Sequence, residues 1–447
     1  MASLPFVTRY DPLGESNSSI DPLGALQVYG ALVDLLLPGL STITTRPRYV
    51  SLVCAALRLA EERRTYPVGP AGVTQRRAAA EPYERVWALA CVLAQDAGLR
   101  GAADGLRGVT FATRALRDFQ ARNIPPSSRY RLLKYQSRTG GIPTYWVTLT
   151  GAELVDEAGA LMTDGRALAA CFPELPLSEN AKRNLCMPGR ADGVSIEIKA
   201  LHEWSAKCHL GAMGREESRL VGEALCSDDR RSCVRTALLA SQRAGEMTDA
   251  WTVPALRRLR RHLERDEAAV RLLLPQTIDA IITVERFHEA VLAVFDWALF
   301  WGTMSSHRSI WLVEDEPAFR ETTDHARARA SDLVTFSKEA LGPRLHTLLG
   351  DFVAFASDVD RCAASRSILQ EVLRRHHRVQ AGKIAGGIPK QEWVTQSDTG
   401  KVFRPSPRYQ RTEAPRMPGG RALTHPYRLE PFIGMLRETG VLRPASD

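Results

Sequence analysis

The chain has 447 residues, 44% of them hydrophobic and 25% charged, with a formal net charge of +8 carried mainly by arginine. That length implies two or three domains with substantial cores, and no apolar run approaches the roughly 20 residues that a membrane helix needs. A positive balance of this size favours polyanionic partners.

The start, Met1-Ala2-Ser3-Leu4-Pro5-Phe6, lacks both the basic lead and the apolar core of an export signal. Eight cysteines lie far apart with no Cys-x-x-Cys pair, and Cys54 and Cys91 fall inside apolar helical patterns. Reduced core thiols in a cytoplasmic protein are expected.

Residues 1–20 read as a polar arm. Asp21-Pro22 opens a helix to about Leu37, with Leu26, Tyr29 and Val33 on one side. Pro38-Gly39 breaks it, because proline lacks a donor and glycine accepts positive φ. In the turn that follows, Ser41, Thr42, Thr44 and Thr45 supply hydroxyls for loose backbone groups, and Pro47 suits a first helical position. Tyr49, Leu52, Val53, Ala56, Leu57 and Ala60 then repeat at i, i+3, i+4 and i+7, the spacing of one helical face. Arg46 and Arg48 stand at its start as candidate phosphate contacts; the plainer reading is a structural turn with solvated arginines. Tyr66 to Ala78 reads as a loop, and Glu81-Pro82 as the start of a helix apolar almost all round, fit for the middle of a bundle.

Val109, Ala112, Leu116 and Phe119 mark a helix ended by Asn123 and Pro125-Pro126. Ser127 or Ser128 then caps an expected helix through Tyr130, Leu133 and Lys134 to Arg138. Tyr145-Trp146-Val147-Thr148-Leu149 alternates like a strand, and Thr163 is the expected N-cap of a closing helix. Residues 114–138 hold Arg114, Arg117, Arg122, Arg129, Arg131, Lys134 and Arg138 against Asp118 alone.

From Ser195 onwards the pattern is helical again. Short helices are expected over Glu216–Leu225 and Arg230–Arg243, a basic one over Val253–Leu274, a long apolar one after Pro275, and further long helices from Thr323 to Gln380. The Gly- and Pro-rich end from Ala381 carries Trp393, Val402, Phe403, Tyr409 and Phe432, too aromatic for a free tail. It is expected to wrap back over the helical body.

Several constellations could carry chemistry. Asp192 with Glu197-Ile198-Lys199 has the residue types of a metal-dependent nuclease, in which carboxylates hold a divalent ion and lysine positions water. The carboxylates are closer in sequence than neighbouring strands would place them, and Glu197 also suits a helix start. Cys208, His209, Cys226 and Cys233 offer soft ligands, but without the short paired spacing of a zinc knuckle. The run Arg257-Arg258-x-Arg260-Arg261 could meet phosphates or lie on a wet helix face. No P-loop is present. No cofactor, metal or catalytic residue is assigned.

The order of helices, strand, turn and Leu161-Met162-Thr163-Asp164-Gly165-Arg166-Ala167-Leu168-Ala169 resembles the later part of a winged-helix domain over residues 108–172. That resemblance implies DNA reading by Ser128–Arg138, with Arg129, Arg131, Lys134 and Arg138 as contacts. The Pro-Gly-Leu-Ser-Thr-Ile-Thr…Arg-Pro-Arg-Tyr segment, this middle block and His425-Pro426-Tyr427-Arg428 together resemble uncharacterised bacterial helical proteins encoded near DNA-modification and anti-phage defence genes. This likeness implies a DNA-directed accessory role.

The sequence therefore leads to a mainly α protein, a multi-helix bundle with an embedded winged-helix-like (α+β) module. Four regions are expected: a helical 1–107, the module at 108–176, a helical 177–380 and a basic C-terminal wrap at 381–447. The expected function is non-catalytic binding of DNA, or bridging of DNA and protein partners in a defence or DNA-processing assembly. The alternatives are a nuclease using Asp192, Glu197 and Lys199, and a protein-interaction scaffold without nucleic acid.

Overall fold

The computed structural model describes residues 21–187, 193–248, 251–304, 310–339, 343–385, 388–390, 392–396, 403–417, 419, 423, 425 and 427–443. The chain is mainly helical, and the described strands form only two-stranded antiparallel hairpins. No described helix is long and apolar enough to cross a membrane. Two compact units emerge, each gathered from separate stretches: one from the described parts of 1–35, 250–264 and 273–425, the other from 36–249, 265–272 and 426–447. This grouping cuts across the sequential partition at 107, 176 and 380. The polar arm at 1–20 lies outside the described residues.

The first unit is built on the helix Leu274–Met304, which has Pro275 in its opening turn and is buried nearly all round. Phe287 and Phe295 sit in its core with Phe319, Phe352 and Phe355 from the helices Pro317–Glu339 and Pro343–Asp360. Tyr29, from Ala25–Leu36, places its hydroxyl 2.5 Å from Nδ1 of buried His288. Burial pushes that imidazole down to about 4. The expected basic helix from Val253 stops at Leu263; a short turn of helix, Glu267–Arg271, and the left-handed Leu273 follow before the next helix begins. Described residues between 393 and 411 pair with one another and reach the long helix of this unit. Val394–Gln396 pairs with Phe403–Pro405, Trp393 stacks on Tyr409 at 4.1 Å, and Arg411 N–H donates to Thr303 Oγ1.

In the second unit, the turn after Gly39 is tied by hydroxyls as its composition suggests. Thr44 Oγ1 donates to the Ser41 carbonyl at 2.8 Å and accepts from Ser41 N–H at 3.1 Å. Gly39 adopts φ +69° against the backbone of Gly151, where a Cβ on either residue would crowd the other. The helix Arg48–Arg63 follows, and all six residues of the expected apolar face are buried. The next helix runs from Pro70 to Asp96, so it starts well before Glu81 and carries Pro82 inside it. Tyr49 packs between Trp87 and Tyr145, with ring centroids 4.9 and 4.8 Å away.

Two expected elements of the middle block fold differently. Residues 145–149 belong to a helix, Gly141–Gly151, not a strand. Its first amide, Gly141 N–H, donates to Oε1 of buried Glu84 at 2.5 Å, which places a carboxylate at the positive end of the helix. A Cβ at Gly141 would fall 2.1 Å from the Tyr49 ring, so only glycine permits that approach. Residues 128–135 are irregular, and only Gln136–Thr139 is helical where a reading helix was expected. No strand occurs between 108 and 176, where pairing is limited to a bridge of Val155 with Leu161 and one of Ser127 with Ser195. The closing helix, Thr163–Cys171, is present.

Candidate nucleic-acid interface

The cation-rich stretch starts on the helix Val109–Ala121. Ala112, Ala115 and Leu116 face the core, which leaves Arg114 and Arg117 together on the wet side, three residues apart. Gly108 precedes it at φ +78°, and a Cβ there would lie 2.5 Å from the Leu132 carbonyl oxygen. At the other end Asn123 turns the chain in the left-handed region, φ +51°, which asparagine tolerates better than most residues. Ile124 N–H closes the turn by donating to the Phe119 carbonyl at 3.1 Å.

Pro125-Pro126 then holds the chain extended, and the segment pairs across to residues 194–196. Ile196 N–H donates to the Pro126 carbonyl at 2.8 Å, and Ser128 N–H to the Val194 carbonyl at 2.9 Å. The Ser128 hydroxyl accepts from Val194 N–H, so it is engaged in this cross-chain tie and does not cap a helix. That pairing is the physical reason the expected helix is absent. Tyr130 and Leu132 anchor the loop: the Tyr130 hydroxyl donates to the Arg85 carbonyl at 2.7 Å, and Leu132 is fully buried. Leu133 is only half-buried.

Arg114, Arg117, Arg122, Arg129, Arg131, Lys134 and Arg138 are all exposed. Among the described residues none of the seven has a carboxylate partner, whereas exposed Arg219, Arg361 and Arg374 each do. Arg131 donates to the Lys134 carbonyl at 2.8 Å, and the Lys134 ammonium lies 5.3 Å from the centre of the Tyr135 ring. Arg131, Lys134 and Arg138 do not share one helical face, because residues 131–135 are not helical.

The other two candidate contacts lie elsewhere. Arg48 is 1% exposed; it donates to the carbonyls of His209 and Lys207 at 2.6 and 2.8 Å and lies 3.4 Å from Glu217. Arg46 pairs with Glu438 at 3.0 Å, and its amide donates to the Tyr145 hydroxyl. Neither is a solvated arginine, and Arg48 is out of reach of a polyanion. Their role is to hold the turn, which the plainer sequence reading anticipated only in part.

Glu197 and Lys199 both line one cleft, at the start of the helix Ile198–Cys208. Asp192 lies outside the described residues. Cys208 and His209 are committed to the core through their carbonyls, which accept from Trp87 Nε1 and Arg48. Among the described residues no three His, Cys, Asp or Glu side chains gather as metal ligands would. Of the basic C-terminal run, Lys401 and Arg421 fall outside the described residues; Arg404, Arg408, Arg411 and Arg416 are exposed in the first unit, Arg411 3.7 Å from Asp296. Sequence reasoning missed the cleft and its hydrogen-bonded walls, for which Asn123 beside Pro125-Pro126 was the only local signal. No family model matches this chain, and neither a curated protein nor a solved structure does.

Proposed function

We propose that the chain is a non-catalytic DNA-binding protein that joins DNA to protein partners in a DNA-processing or anti-phage defence assembly. The observation that carries the DNA part is the set of seven exposed cations between Arg114 and Arg138 that no described carboxylate neutralises. Six of them are arginines, whose planar donors suit phosphate oxygens. Contact runs through the surface of one helix and the loop beyond it, not through a winged-helix reading helix. The assembly setting rests on the sequence resemblance alone.

The test is a salt titration of binding to labelled duplex DNA, single-stranded DNA and RNA, with and without magnesium. Each phosphate contact should add roughly 0.9 to the slope of log affinity against log salt. Arg131→Glu combined with Arg138→Glu should weaken binding strongly at low salt and flatten that slope, with an unchanged melting temperature. Binding that is absent, or unaffected by the double variant, sinks the reading; magnesium-dependent cleavage lost in Glu197→Gln would replace it with the nuclease.

A further inference from the structure

Beside the cationic stretch, between the end of Val109–Ala121 and the start of Ile198–Cys208, lies a cleft of about 500 Å³. We propose that it takes an unpaired base of single-stranded DNA whose phosphates run along the adjoining cations; this rests on the DNA-binding reading above and names its substrate class.

Just over half of the residues that line the cleft are apolar. Phe119, Ile124 and Pro125 come from one stretch of the chain and Ile198 from the other. Ile124 and Ile198 are 46% and 45% exposed, so the apolar surface is open to water. The polar lining is different: Gln120 and Asn123 bring amide donors and acceptors, and Glu197 a carboxylate. A carboxylate there disfavours a phosphate inside the cleft, yet it can accept from the exocyclic amine of a base. Positive charge comes from Lys199, two residues from Glu197 in the same lining, and from exposed Arg122 next to Asn123.

A slot with apolar and polar lining, one cation beside its carboxylate and further cations on the adjoining stretch, matches a planar, hydrogen-bonding ring attached to an anionic backbone. Duplex DNA keeps its bases stacked and paired, so it does not offer such a ring; a single strand does. An acidic peptide fits worse, because its side chains would meet Glu197. The walls are fixed before any ligand arrives, since the Ile196–Pro126 and Ser128–Val194 backbone bonds tie the two sides together. A base entering therefore orders little of the protein, which favours affinity.

The experiment uses the full chain with a thymine oligonucleotide carrying one 2-aminopurine, as a single strand and in its duplex. Single strand should bind at least about tenfold more tightly at matched salt, with a change in 2-aminopurine emission. Ile198→Ala should weaken single-strand binding about five- to tenfold, in the range expected for one base losing its stacking surface, and leave duplex binding unchanged. Equal affinity for both strands, with unchanged emission and no effect of Ile198→Ala, overturns this inference while leaving the cation-dependent reading intact. Loss of salt-dependent binding to both forms would instead remove the DNA-binding reading itself. Binding that survives while a hydrophobic peptide, and not the oligonucleotide, protects Ile198 would assign the cleft to a protein partner.

Discussion

Two sets of arginines in the same unit have opposite fates. Arg48 and Arg231 are fully buried, and Arg46 is mostly so, whereas the arginines between 114 and 138 are all exposed. The interior ones find helix ends. Arg48 donates to Lys207 and His209 where Ile198–Cys208 stops, and Arg231 donates to Gly151 where Gly141–Gly151 stops. Those carbonyls have no partner inside their own helices and form the negative end of the dipole, so a buried guanidinium serves both needs. Among the exterior arginines only Arg131 is shown bonded to a backbone carbonyl, that of Lys134 in the loop, which does not end a helix. Chain charge alone therefore says little about polyanion binding; what matters is which cations remain after the fold has used its share.

The largest effect should come from an interior cation. Arg48→Met leaves Glu217 buried without its counter-charge, with only the Ser51 hydroxyl and the Gly214 amide beside it. Breaking a buried pair in this way costs about 3–5 kcal/mol, read as a lower denaturation midpoint. The fraction that folds should bind DNA with an unaltered salt slope. Leu52→Asp, at a side chain with no exposure, should cost on the order of several kcal/mol for the same kind of reason. An unchanged midpoint in either variant would remove these residues from the core.

The converse experiment strips the outside. Arg114→Ala, Arg117→Ala and Arg122→Ala together should leave the melting temperature where it is, because no described carboxylate loses a partner. The log–log salt slope should fall by roughly 0.9 for each phosphate that is no longer neutralised. A drop in stability as large as that of Arg48→Met would erase the distinction between the two sets.

This contrast also marks how far the sequence could be read. The Arg48–Arg63 helix was legible because its spacing is local, and the Pro38-Gly39 break agrees with it. Residues 145–149 were not, since Tyr145, Val147 and Leu149 alternate with Trp146 and Thr148 and look like a strand, while the deciding interactions come from Glu84 and Tyr49 far away in sequence. The loop at 128–135 was misread for the same reason: Ser128 is a good cap in isolation, but it is taken by Val194. Arg46 and Arg48 looked solvated because nothing near them in sequence shows that Glu438 and Glu217 will meet them. The cleft needs two stretches some 70 residues apart to be paired, as Pro126 with Ile196 is. Composition supplied the surface and spacing the helices, while long-range pairing supplied the site.

Interior carboxylates offer a test of intermediate size. Glu84 is 1% exposed, and burial raises its pKa above the ordinary 4.5, despite bonds from Gly141 N–H and Gln136. The native state therefore holds a proton that the unfolded chain releases sooner. Stability contributed by this group is full below about 4.5 and is lost as pH rises through the native value. Glu84→Gln should remove that decline, giving a flatter stability profile above pH 4.5 by urea denaturation. A profile identical to that of the parent would mean that Glu84 is solvated.

The smallest effect belongs to Arg219, which sharpens the comparison by being exposed and yet paired. Its guanidinium meets Glu216 at 2.6 Å and Glu223 at 2.6 Å, one turn away on either side, and all three side chains are more than half exposed. Pairs of this kind gain little Coulomb energy in water and are screened by salt. In Arg219→Ala, Glu216 keeps its favourable place in the first turn of Arg215–Leu225, so the helix should persist and the melting temperature should match the parent. DNA affinity should match too, because a guanidinium held by two carboxylates presents no net positive charge to a phosphate. If Arg219→Ala weakened binding as much as the loss of Arg114, Arg117 and Arg122 together, total charge would govern the interaction. Carboxylate pairing would then have no bearing on which arginines meet DNA.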